Sequence, residues 1–419
     1  MALTGLSRAC DKLNEYMRED RPSPMHTLYL QMALLSHVAG EVTQFPRFMW
    51  RDHPHFEEFI MDGHLIKLSQ LRRMHADLLE GCERDLAVHL LGFPLEDFGL
   101  KLDSLFDNLN TAPTTGRWLF SDPVNPLPPQ ALIRSLCSLP KDDPRVNQWI
   151  VGVIDRQLIW KADTVHAYLK SADDLLDRIG MGVYLTSWPK RGKEFVSVRL
   201  KDSPGQSAGL RAFDNSFMLA INNHKTDHPT GLRRLVPMFL HPRWSRVLMG
   251  FLLVRQHCTE LAQIFKSSAV KGFQTMLWAS CSGPWTSKHL SSVFQAYTRQ
   301  VIGPTLGLSD LRQMLCFIFD FKIGKQPFED EDLPETASAA AGDYASAHSR
   351  QTRERSYGVH VPTLSTVPEP MFRAIHQVCD SCSRNMTKTD NCQSRMQSES
   401  GGFMASLFQA VPRTTALCR

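Results

Sequence analysis

One short stretch of this chain has the texture of β-strands, and helical spacing surrounds it on both sides. Phe195-Val-Ser-Val-Arg-Leu200 and Ser216-Phe-Met-Leu-Ala-Ile221 read as strands, and Arg233-Arg-Leu-Val-Pro237 offers a third. The segment Asn222–Gly231 between the last two is rich in Asn, Asp, Thr, Pro and Gly, the composition of a hairpin turn. Upstream, Leu28, Met32, Leu35 and Val38 recur at helical spacing, as do Leu65, Leu68, Leu71 and Met74, so residues 1–110 read as helical. Further helices are expected over Pro129–Leu139, Val146–Leu158 and Asp163–Arg178. After Pro242 the pattern is helical again, over Arg246–Phe265, Ser287–Val301 and Leu308–Phe321. The expected fold is mainly α with a small antiparallel β-sheet.

Periodicity fails between Asp103 and Pro128, and Pro123-Val-Asn-Pro-Leu-Pro-Pro129 has the composition of a linker. This divides the chain into a helical N-terminal domain over 1–140, with its linker at about 111–130, and a second domain over 141–363. Residues 326–347 hold six Asp or Glu and no Lys or Arg, which reads as a solvated acidic loop. Residues 364–419 form a polar tail with one helix near Glu369–Val378. Met1–Asp20 has no apolar run before its charges, so no secretory signal is expected. The longest apolar stretch, Val247–Val254, is flanked by Arg246 and Arg255 and is too short to span a bilayer. The ten Cys are scattered, which suits a reducing compartment.

The net charge of +4 conceals an uneven distribution. Residues 189–325 carry nineteen Lys and Arg against seven Asp and Glu, a net of +12 that leaves −8 for the rest. A basic block of this size suits a polyanion, because each phosphate contact releases condensed counterions. Charge alone fits a solvated surface equally well.

Chemistry enters through a set of motifs. Ala347-His-Ser-Arg-Gln-Thr-Arg-Glu-Arg-Ser-Tyr357 places a Tyr nine residues after a His-Ser pair, and Leu311-Arg312-Gln313 lies thirty-six residues before that His. Upstream, Pro189-Lys-Arg191-Gly-Lys-Glu194 stands just before the first expected strand, and Lys225 falls in the expected hairpin turn. The order Arg191, Lys225, Arg312, His348, Tyr357 resembles that of the tyrosine recombinases, the phage-integrase class. The Pro-x-Arg-Gly-x-Glu form is similar to the recombinase-like domains of fungal telomere-linked helicases and Crypton-type mobile elements. Arg21-Pro-Ser-Pro24, Met49-Trp-Arg-Asp52, Arg117-Trp-Leu-Phe-Ser-Asp122 and Pro237–Val254 extend the likeness over most of residues 20–360.

Cleavage of a phosphodiester by a tyrosine needs a phenol that loses its proton on attack, cations around the non-bridging oxygens and an acid for the leaving oxygen. Arg suits the second task, because its planar fork grips two oxygens and stays charged. The resemblance implies that Arg191 and Arg312 hold the scissile phosphate of double-stranded DNA and that His348 supports it. It further implies that Lys225 protonates the leaving 5′-oxygen and that Tyr357 forms a 3′-phosphotyrosyl link. No cofactor or metal is needed, since the new ester conserves the energy of the broken one. The implied setting is DNA recombination and integration in the nucleus, as a homo-oligomer on DNA. Pro189-Lys-Arg-Gly-Lys193 also resembles a minimal nuclear-localisation cluster.

The chain departs from the family at Ser309, where a His or Lys is usual, at Ala347, where a Gly is usual, and in the long acidic interval between Arg312 and His348. Two alternatives stay open: a DNA-binding remnant without cleavage, and a helical scaffold or helicase partner that binds protein and not DNA. A rival site is Cys379-x-x-Cys382, with His376 before it and Cys392 after it. Such a set can ligate Zn²⁺, but the second half of a zinc-finger spacing is missing and free thiols are the ordinary reading.

Overall fold

The structure, a computed structural model, describes residues 47–322 except 54, 109–113, 126, 155–156, 188, 205–206, 222–235, 266–273 and 281–282. It also describes 376, 377, 379, 380, 382–384 and 386. Two compact units are present, Met1–Ile66 and Lys67–Arg419.

In the first unit, β1 (Phe48–Trp50), β2 (Glu58–Met61) and β3 (His64–Lys67) form a sheet in that order. Sequence reading made this region helical, and the structure corrects it. The decisive signal is Asp62-Gly63, both with positive φ (49° and 82°), which is the two-residue turn that matches strand twist in a hairpin. Aromatic residues then favour the pleated surface, and Trp50 meets Phe59 edge-on with centroids 5.5 Å apart.

The second unit is built on three long helices: α1 (Leu68–His89), and, further along, Ala162–Thr186 and Pro242–Ile264. Leu68, Leu71 and Met74 are buried on α1 as their spacing predicts. Helix α2 (Ala131–Ser138) matches the expected Pro129–Leu139 segment. Helix α3 (Pro144–Trp149) starts where Pro144 fills its first position and Asp143 accepts the Arg145 N–H at 2.8 Å. It then stops. The expected helix to Leu158 gives way to the hairpin of β4 (Ile150–Ile154) and β5 (Gln157–Trp160), because four β-branched residues around Gly152 favour a strand.

The long helix α4 (Ala162–Thr186) runs eight residues beyond its expected end. Phe195–Leu200 is not one strand. Gly192–Val196 is a short helix, α5, and Arg199 alone bridges to Met276. The helix forms because Glu194 reaches back to accept the Arg191 N–H. β6 (Leu210–Phe213), β7 (Ser216–Ile221) and β8 (Val236–Phe239) follow as an antiparallel sheet in that order. β6 was not anticipated, and the third strand lies slightly later than expected. Asp214 and Asn215, both at positive φ, make the β6–β7 turn.

Helix α6 (Pro242–Ile264), the two-residue strands β9 (Ala279–Ser280) and β10 (Gly283–Pro284), and helices α7 (Ser287–Val301) and α8 (Leu308–Lys322) complete the unit. α1, expected in a separate N-terminal domain, packs on α4 and α6. Gly182 on α4 lets Trp244 of α6 pack against it, since a Cβ there would stand 2.0 Å from Trp244 Cζ2. Trp244 donates its indole N–H to His75 Nε2 of α1 at 2.7 Å, so one buried indole ties the three helices. The protein is mainly α-helical with small antiparallel sheets. Among the described residues no helix is long and apolar enough to cross a membrane.

Candidate phosphate-binding site

Arg191 caps helix α5. Its N–H and its guanidinium Nη1 both donate to Glu194, at 3.1 and 3.4 Å. Glu194 is buried while the Arg191 side chain is about one-third exposed, so the carboxylate is an internal anchor for a cation that reaches the surface. Arg191 Nε and Nη2 make no hydrogen bond among the described residues, which leaves these two nitrogens of the fork, with three N–H groups, for a ligand.

The second arginine arrives on α8. Leu308, Leu311, Arg312, Leu315 and Cys316 follow the i, i+3, i+4, i+7, i+8 stripe of one helix face. That face meets the Arg191 loop. A Cβ on Gly192 would lie 2.2 Å from Leu308 Cδ2 and 3.0 Å from Ser287 Cβ, so the starts of α7 and α8 close directly on the residue after Arg191. The first turn of α8 is itself held to α7, since Leu308 N–H donates to Ser291 Oγ at 3.2 Å.

Between the arginines lies a residue that sequence reasoning took only as part of a basic cluster. Lys190 is almost wholly buried. Burial, with Arg312 adding to it, pushes its ammonium down to about 8, against the pull of Cys379, Glu194 and Cys382. Tyr184 donates its hydroxyl to the Lys190 carbonyl at 2.7 Å. Burial drives the Tyr184 phenol well up, and Arg312 and Glu194 both lie close enough to act on it as charges. Arg312 and Glu194 thus share the neighbourhood of Lys190 and Tyr184, and Arg191 is bonded to Glu194. Exposed Lys193 and Lys288 flank the same junction. The packing of Gly192 on Leu308 and Ser287 brings the segments that carry Arg191, Lys193, Lys288 and Arg312 to one junction, a cationic neighbourhood suited to an oxyanion.

Lys225, His348 and Tyr357 lie outside the described residues, as do Ala347 and the acidic loop. Lys225 belongs to the segment joining β7 to β8, which pair antiparallel with Ile221 opposite Val236. Ser309 is exposed in the first turn of α8, three residues before Arg312.

The basic block does not form an unbroken positive face. Arg211 is buried against Asp107 at 3.1 Å, Arg243 pairs with Glu83 at 2.7 Å, and Arg246 pairs with Glu96. Arg255 is buried and donates to the carbonyls of Leu277 and Met276. With Lys190, these five of the nineteen cations serve the fold. The pairing acids all come from outside the block, which is why a charge count along the sequence could not find them.

Cys379 and Cys382 are buried on helical residues and in no disulfide, and Ser383 beside them donates to the Thr186 carbonyl at 3.2 Å. Burial pushes the Cys382 thiol well up, away from the thiolate a metal needs. His376 turns to the Phe239 ring, with centroids 4.7 Å apart. Among the described residues no group of three or more His, Cys, Asp or Glu is placed to hold a metal ion, and Cys392 lies outside them. Comparison of the chain with protein-family models, curated proteins and solved structures gives no match.

Proposed function

We propose that this chain is a DNA-binding protein of the tyrosine-recombinase type, acting on a phosphodiester held between Arg191 and Arg312. The observation that carries the reading is the packing of Gly192 against Leu308, which joins the loop of one arginine to the helix of the other. The three-stranded antiparallel sheet after Arg191, with Lys225 in its second connection, supports it. In the proposed step the Tyr357 oxygen loses its proton and attacks phosphorus. The P–O5′ bond breaks, a 3′-phosphotyrosyl bond forms, and Lys225 delivers a proton to the leaving 5′-oxygen. His348 supports the phosphate. The proposed setting is nuclear, on double-stranded DNA, with oligomerisation on the DNA. The test is incubation with duplex DNA carrying a strand nick, followed by a search for covalent protein–DNA adduct.

A second reading keeps DNA binding and omits cleavage. Exposed Ser309 favours it, because a hydroxyl at the rim of the site can donate a hydrogen bond but brings no charge. A third is a scaffold or helicase partner, favoured by the acids that neutralise Arg211, Arg243 and Arg246. DNA affinity that falls steeply with salt separates the first two from the third.

A further inference from the structure

A cleft of about 210 Å³ lies between α6 and the segment at Leu200–Lys201, and neither Arg191 nor Arg312 lines it. A dry cavity of about 150 Å³ holds one benzene ring, so this space takes a single planar heterocycle and its substituents. Its walls differ in kind. Leu252 gives an apolar wall, and the half-buried Trp118, which packs on Phe120 with centroids 5.1 Å apart, gives an aromatic one. Thr259, Gln263 and Gln274 give a rim of uncharged polar groups. Thr259 Oγ1 donates to the Arg255 carbonyl at 2.9 Å, which leaves its lone pairs as acceptors. The Gln263 and Gln274 amides make no hydrogen bond among the described residues, so each offers a donor and an acceptor.

The charges decide what the ring carries. Arg255 and Glu260 also line the cleft, but both are committed to the fold. Arg255 bonds backbone carbonyls, and Glu260 Oε1 accepts from the Gln130 N–H at 2.7 Å and from Gln256 Nε2 at 3.0 Å. Among the described residues Lys201 is the one lining charge not held by an acid or a backbone carbonyl. Its ammonium stands over the Trp118 ring, 5.9 Å from the centroid, and a bound phosphate would draw it off that face. An acyl chain would leave the amide rim unpaired, and a neutral sugar would leave Lys201 unmatched. A ring with donors and acceptors on its edge and an anion on its substituent satisfies every wall.

We infer that this cleft binds a nucleotide unit, with its base stacked on Trp118 and edged by Gln263 and Gln274, and its phosphate at Lys201. The inference rests on the cleft's own lining and not on the Arg191–Arg312 reading. The base comes either from a free nucleotide or from a nucleic-acid strand whose bases are unstacked, and both present the same chemistry.

The experiment titrates the full chain with four nucleoside monophosphates, with ribose 5-phosphate, and with single-stranded and duplex oligonucleotides, read by tryptophan fluorescence and calorimetry. Binding of at least one base-bearing ligand is expected, with ribose 5-phosphate weaker by about tenfold or more. Trp118→Ala should weaken that binding by about 5- to 100-fold, and Trp118→Phe should keep most of it. Gln263→Leu, at an exposed position that leaves the fold intact, should change the preference among the four bases. A free nucleotide that binds as well as an oligonucleotide identifies the former as the source. Oligonucleotide binding alone, still dependent on Trp118, identifies the strand. Ribose 5-phosphate binding as well as the nucleotides, binding indifferent to Trp118→Ala and Gln263→Leu, or no binding by any ligand would overturn the inference. Loss of strand-cleavage activity in Arg191 variants leaves this result unchanged, so the two readings fail separately.

Discussion

Gly192 and Leu308 touch so closely that a methyl group on the first would stand 2.2 Å from Cδ2 of the second. Gly192 follows Arg191 in the chain, and Leu308 begins the helix that carries Arg312. Gly192→Ala is therefore a test of how the two arginines are spaced. Overpacking at such a contact costs about 1–3 kcal/mol, and the neighbouring Ser287 Cβ at 3.0 Å closes the other way out. The variant should unfold at lower urea concentration and bind duplex DNA more weakly than wild type. Unchanged stability together with unchanged DNA affinity would show that this contact does not set the site.

Glu194 has two jobs that can be separated. It caps helix α5 through the Arg191 N–H and it orients the Arg191 guanidinium. Gln can keep the cap, as Glu and Gln both serve in a capping box. Glu194→Gln should therefore lose less stability than Glu194→Ala, which should cost about 1–2 kcal/mol for the cap. Both should weaken DNA binding, because both remove the charge that fixes Arg191. Urea titration paired with a DNA-binding isotherm for each variant checks the split.

The indole-to-imidazole hydrogen bond between Trp244 and His75 makes a pH prediction. Burial, with the charges of His241 and Arg243, pushes His75 from 6.5 down to about 4. The folded state thus favours the neutral ring, which is the form that can accept the Trp244 N–H. The stability it contributes is present above pH 6.5 and is lost as pH falls toward 4. The displacement corresponds to on the order of 3 kcal/mol. His75→Gln should flatten the acid limb of the stability profile between those values, measured by urea midpoints across pH. An acid limb identical to that of wild type would assign the loss to other groups.

Ser309 sits exposed one turn before Arg312. A charged donor lost from a transition state costs about 3 kcal/mol, or a hundredfold in rate. Ser309→His should therefore raise the yield of covalent DNA adduct above that of wild type. Quantifying adduct by denaturing electrophoresis is sufficient. An unchanged yield would remove position 309 from the chemistry.

How much of this was legible in the sequence depends on which physical signal ruled each element. Ser287–Val301 matched its expected bounds, and Leu308–Lys322 differed by one residue, because their apolar spacing is continuous. Phe195–Leu200 misled, because its alternating apolar residues resemble a strand while Glu194 supplies the stronger local force, a capping box. The expected helix Val146–Leu158 misleads over Ile150–Leu158, where β-branched residues outweigh apolar content and a hairpin forms. The turns Asp62-Gly63 and Asp214-Asn215 were readable as hairpins and were passed over. At the candidate site, the order of motifs in the chain singles out Arg191 and Arg312. It does not single out Lys190, because burial of a lysine depends on α8 and on residues near Cys379 that are remote in sequence. Trp118 and Gln263 likewise meet only through the fold.

The central claim is that this chain can join itself to DNA through Tyr357. The direct measurement is covalent adduct formed by the full chain on a nicked duplex, compared with that formed by Tyr357→Phe and by Arg191→Ala. The account predicts a low but measurable adduct for wild type, none for Tyr357→Phe, and a loss of about a hundredfold or more for Arg191→Ala. DNA binding with no adduct from wild type or from Ser309→His would contradict it and leave a protein that binds DNA without cutting it.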